Sequence, residues 1–162
     1  MILPYTTDAP LYHPPITTGT LIGLNVATFV MVMTSSVSAS DLALSHGDGL
    51  HPIQWITSNF IHGDVMHLLG NMMSLWVFGL VVEGKIGWWR MLLLYLGIGV
   101  GQCALEQTIT LGMSSGESFG ASSIIYGLMA IAIIWAPSNE VSCVTLIWYY
   151  PITFEIPVFV MG

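Results

Sequence analysis

The chain has 162 residues, 54% hydrophobic and 7% charged, with two cations against nine carboxylates and a formal net charge of −7. A soluble domain of this size carries roughly forty charged side chains, and its mean hydropathy would not reach +0.79. These figures exclude a soluble enzyme, a disordered tail and a nucleic-acid binder, which needs a basic face. What remains is an integral membrane protein: an all-α, polytopic transmembrane helix bundle of about five helices in one domain. Cys103 and Cys143 are too few and too far apart for a disulfide framework or a metal knuckle, and are expected to be buried small hydrophobes.

Residues 1–19 read as an N-terminal tail. Leu21 to Met33 followed by Val37-Ser38-Ala39 resembles a signal peptide with its small-residue cleavage site. No cation precedes it, however, and Pro4, Pro10, Pro14 and Pro15 make a poor leader. It is therefore expected to be a retained first span, about 20–36, long enough to cross the hydrocarbon layer. The connection 37–61 holds Leu42, Leu50, Ile53, Trp55 and Phe60 with few charges, and such a loop is expected to sit in the membrane interface. A second span covers about 63–83 and a third about 88–106. Gly97, Gly99 and Gly101 predict close helix packing on several sides of the third. A fourth covers 120–136, stopped by Pro137. Residues 141–150 read as an interfacial segment with Trp148, Tyr149 and Tyr150 at headgroup level. The apolar run 153–162 reads as the start of a fifth span.

Lys85 and Arg90, the only cations, lie together between spans two and three. The positive-inside rule places that connection, and hence the N-terminus, in the cytoplasm. Connections 37–61 and 107–119 then face outward. Trp88 and Trp89 read as an interfacial anchor, and Glu83 as an ion-pair partner for the nearby cations.

This topology puts two polar groups in one leaflet. His62, His67 and Asn71 surround the outer start of span two, with His67 and Asn71 on one helix face. Gly120-Ala121-Ser122-Ser123 opens span four from the same side. Polar side chains in a bilayer face each other or a wet cavity. One reading is structural: serines bonded back to their own helices, with His67 and Asn71 as interhelical glue. The other is acyl-transfer chemistry, which needs a nucleophile, oxyanion donors and a general base. Ser122 at a helix start would be the nucleophile. The Ser122 N–H, a His67 ring N–H and the Asn71 amide would converge on the oxyanion. Gly120 and Ala121 would let a substrate backbone approach, and Tyr126, four residues on, would pack against the base.

From Pro52 to Pro137 the pattern resembles the rhomboid intramembrane serine proteases. The resemblance rests on His62-Gly63-Asp64-Val65-Met66-His67-Leu68-Leu69-Gly70-Asn71, the turn Glu83 to Gly87, and Gly120-Ala121-Ser122-Ser123-Ile124-Ile125-Tyr126-Gly127, in that order. It implies Ser122 as nucleophile, His67 and Asn71 as oxyanion stabilisers and Tyr126 stacked on the base histidine. It also implies membrane proteins with a transmembrane helix as substrates, cut in or near that helix, with no cofactor and no metal.

Two departures accompany it. Gly-x-Ser-Gly is here Gly-Ala-Ser-Ser, placing Ser123 beside the nucleophile, where it is expected to crowd the cleft. The family's general base is a histidine in a later span, and no histidine follows His67 in this sequence. The expectation is a C-terminally incomplete chain. The alternative is a catalytically inactive rhomboid-like protein that binds client transmembrane helices. A haem or metal site on His62 and His67 is disfavoured, since five residues along a helix separate them by about 140°. A transporter is disfavoured by spans without charge or inverted repeat. His13, His46 and His51 read as solvent or headgroup contacts. A leader without cations points to a bacterial inner membrane.

Overall fold

The structure, a computed structural model, describes residues 2–47, 49–112, 116–147 and 150–160. Helix α1 spans Ile16–Met33. The segment after it holds the short helix α2 (Ala39–Leu42), strand β2 (Leu44–His46), helix α3 (Gln54–Thr57) and a 3-10 turn over Ser58–Phe60. Helix α4 (Val65–Ile86) and helix α5 (Trp88–Ile109) follow, joined at Gly87. Strand β3 (Gly116–Ser118) pairs antiparallel with β2, and helix α6 spans Ser122–Trp135. Strand β1 (Ile2–Thr7) joins strands β4 (Glu140–Ile147) and β5 (Tyr150–Pro157) in a sheet of order β1-β4-β5.

Among the described residues three helices, α1, α4 and α5, are long and apolar enough to cross a membrane. This fits an integral membrane protein. Helix α6 has 14 residues, about 21 Å of rise, less than the hydrocarbon thickness of about 30 Å.

Helix α4 is the centre of the bundle, packed against α1, α5 and α6, and it carries the largest buried share of the three long helices. Its start is specified locally: the Asp64 carboxylate accepts from the His67 N–H at 2.8 Å, an N-cap bond worth about 1 kcal/mol. Gly87, at φ +80, ends it in a conformation that suits glycine. Where α1 crosses α4, a Cβ at Gly79 would stand 2.6 Å from Thr18 Oγ1, so the close approach depends on the missing side chain.

Helix α5 departs from the expectation of packing on several sides. Its buried residues are Met91, Tyr95, Gly99, Cys103 and Gln107, spaced four apart and therefore one stripe. Gly99 fits against Ile124 and Asn59, whereas nothing approaches Gly97 or Gly101. The outer faces, with Leu93, Leu105 and Ile109, are exposed, as suits a lipid-facing helix.

The connection 37–61 lies against α5. Gln107, fully buried, accepts from the His51 N–H and the Trp55 indole and donates to the Ser45 carbonyl. His51 is thereby drawn into protein contact, and His46 separately meets Glu106 at 3.2 Å and Ser118 at 3.2 Å. Neither histidine is simply a headgroup contact. Cys103 and Cys143 are buried free thiols, but Cys103 has polar company in Ser58, Asn59 and Gln102.

Two further expectations are corrected. The stretch 153–162 does not open a helix, since its described residues lie in β5 and a 3-10 turn over Val158–Val160. Ile152, Thr153, Phe154 and Ile156 suit a strand, and the β4 register offers each a partner. Of the expected aromatic belt, Tyr150 begins β5, while Trp148 and Tyr149 lie outside the described residues. Glu83 does not pair with a cation. Fully buried, its carboxylate accepts from the N–H groups of Thr17 and Thr18 and from the Thr18 hydroxyl, each at 2.7 Å. It thereby satisfies donors at the start of α1 that have no intrahelical partner. Lys85 donates instead to the Trp135 carbonyl at the end of α6, and Arg90 stacks over Trp89.

Candidate active site

The polar residues singled out in α4 and α6 meet. His67, Gly70, Asn71 and Ser74 of α4 and Ser122, Ile125, Tyr126 and Met129 of α6 line one cleft of about 410 Å³, with Met66 and Phe78 completing its walls. Residues 67, 70, 71 and 74 occupy a single helix face by their spacing, so packing α6 on α4 brings that face onto Ser122.

Ser122 is the first residue of α6 and half-buried. Before it, Ala121 is fully buried, and Gly120 adopts φ +117, a conformation that side chains resist. The Gly120 N–H is held by the Ser58 carbonyl at 2.9 Å, which ties the loop before the serine to the segment before α4. A Cβ at Gly120 would lie 3.2 and 3.3 Å from the His67 ring and 3.9 Å from Asn71 Nδ2. Glycine is therefore favoured twice, by its backbone and by the imidazole beside it. Ser123 is exposed and does not line the cleft that it was expected to crowd. Tyr126 stands at the cleft with 65% of its surface exposed.

His62 belongs with these residues in sequence, but spacing assigns it no role. It precedes the Asp64 cap, so helical spacing does not govern it, and its ring is not turned away from His67. The two rings meet edge to face, centroids 5.0 Å apart. His62 is 3% exposed, and its Nε2 lies 2.8 Å from Asn71 Nδ2. Burial, helped by the neighbouring His67 and opposed by the Phe60 backbone, lowers its pKa to about 4. The ring is thus neutral near neutral pH.

Comparison with known proteins places the chain in a family. The Rhomboid domain family matches residues 50–162. RHOMBOID-like protein 4 of Arabidopsis thaliana is 36% identical over 99 residues, 57% of this chain and 24% of its own length. Rhomboid-like protein 11, chloroplastic, from the same plant is 33% identical over 81 residues, 50% of this chain and 28% of the relative. RHOMBOID-like protein 6, mitochondrial, also from Arabidopsis, is 35% identical over 74 residues, covering 46% and 23%. The chain spans about a quarter of the length of these relatives. All three are plant proteins, two named for organelles, and they give no support to a bacterial inner membrane or to a cytoplasmic N-terminus.

Proposed function

The chain belongs to the rhomboid family, and from that premise we propose that it carries the nucleophile and oxyanion site of an intramembrane serine endopeptidase. The observation that carries the reading is the shared cleft, in which Ser122 at the start of one helix faces His67 and Asn71 on another. Its substrates would be membrane proteins with a transmembrane helix, cut in or beside that helix.

In this reading Ser122 Oγ attacks the scissile carbonyl carbon and its proton passes to a general-base histidine. That histidine is not His67, which stands with the oxyanion donors, and it would come from outside these 162 residues. The tetrahedral oxyanion accepts hydrogen bonds from His67, from the Asn71 amide and from the Ser122 N–H. The first N–H groups of a helix lack intrahelical acceptors, and the positive helix end favours the charge. Collapse expels the amine, protonated by the histidine, and leaves an ester on Ser122 that water hydrolyses by the same steps. Tyr126, exposed at the cleft, offers an aromatic face for the base to pack on.

The test is cleavage of a panel of single-span membrane proteins by the full-length protein in lipid vesicles, with Ser122→Ala beside it. The reading expects cleavage by wild type and a loss of at least about a thousandfold in the variant. Clients that bind without being cut, identically in both proteins, would select the inactive helix-binding alternative.

A further inference from the structure

Resting on the reading of Ser122 as nucleophile, we propose that His62 is a positioning residue, which orients the Asn71 amide and braces the His67 ring so that both present N–H groups to the oxyanion. Asn71 lies on the cleft-facing side of α4, and its Nδ2 is 2.8 Å from His62 Nε2 and 3.9 Å from the place a Cβ would take on Gly120, before Ser122. A side-chain amide can be turned by half a rotation, exchanging Nδ2 with Oδ1 at little steric cost. Only one orientation serves an oxyanion, because an amide oxygen in place of the nitrogen would repel the developing charge. Nothing in Asn71 itself selects it.

His62 makes the selection when its ring proton sits on Nδ1. A neutral imidazole has one ring nitrogen that accepts. With Nε2 in that role, one Asn71 N–H is taken up and the amide nitrogen is held on the Gly120 side, leaving its second N–H for the substrate. The ring meets the conditions for this duty. It is 3% exposed, so water does not compete for Nε2, and burial keeps it unprotonated near neutral pH. Its edge-to-face contact with His67 at 5.0 Å adds a second support from the same side chain. Because His62 precedes the Asp64 cap, it is fixed by the segment before α4 rather than by the helix it serves. That segment also holds the Gly120 N–H through Ser58.

The test is a double-variant cycle in the full-length protein, reconstituted in vesicles with a cleavable single-span substrate. His62→Phe fills the ring's place without an acceptor, and His62→Gln keeps an acceptor near Nε2. Expected for His62→Phe is a fall in kcat of ~10- to 100-fold with KM within about twofold, and recovery of most of it in His62→Gln. In an Asn71→Ala background His62→Phe should cost less than about threefold more, since a phenyl ring still braces His67 and the lost acceptor acts through the amide. If His62→Phe does not fold, His62→Met replaces it as the variant without a nitrogen acceptor. Losses that multiply in the double variant, equal losses in His62→Phe and His62→Gln, or an effect confined to KM would overturn the proposal. These outcomes would leave the protease reading intact, whereas a wild type that cleaves nothing would overturn both.

Discussion

Gly120 shows how much of the site depends on one backbone position. Its φ is +117, and a Cβ there would stand 3.2 and 3.3 Å from His67 ring atoms, which leaves little room for a side chain. Gly120→Ala costs about 1–3 kcal/mol in backbone strain and pushes the imidazole away from the proposed oxyanion position. The expected result is a drop in kcat of about tenfold or more, measured on a single-span substrate. Gly97→Ala is the control: nothing lies within 4 Å of that position, and a helical glycine-to-alanine change there should be neutral or stabilising. Ser122, His67, Asn71 and Tyr126 are legible from spacing, because helix periodicity and the order of the spans place them on facing surfaces. His62 is not. It sits outside the helix, where periodicity says nothing, and its bond to Asn71 depends on how the chain enters α4.

At the scale of elements, the three long helices follow from hydropathy, with boundaries a few residues off. Two packing expectations fail for physical reasons. Glycine spacing in α5 suggests contact all round, but a glycine is useful only where a neighbour arrives, and of Gly97, Gly99 and Gly101 only Gly99, on the 91-95-99-103-107 stripe, meets one. Glu83 lies near two cations in sequence, yet the helix geometry turns it inward to the start of α1. The consequence is testable. Glu83→Ala leaves two backbone N–H groups and a hydroxyl without their acceptor in a buried place, a loss of about 3–5 kcal/mol. Arg90→Ala, at an exposed position, should change stability by less than about 0.5 kcal/mol. Thermal unfolding in detergent compares them. Equal effects would restore the ion-pair account and remove the capping role. The run 153–162 is ambiguous by sequence because a short apolar stretch rich in β-branched residues fits a strand as well as a helix, and pairing with β4 decides it.

On the scale of the whole molecule, a central helix organises the site. Helix α4 is capped at one end by Asp64, contacts α1, α5 and α6, and presents the His67–Asn71 face to Ser122. The segment between α1 and α4 contributes from outside the helices, through Ser58 to the serine loop and His62 to the amide. If this assembly makes Ser122 a nucleophile, a reagent selective for activated serines should find it. The decisive experiment is reaction of the full-length membrane-embedded protein with a fluorophosphonate, followed by peptide mass mapping. One adduct is predicted, on Ser122, lost in Ser122→Ala and slowed by Asn71→Ala. Labelling that persists undiminished in Ser122→Ala, or an adduct on another serine such as Ser123, would contradict the assignment.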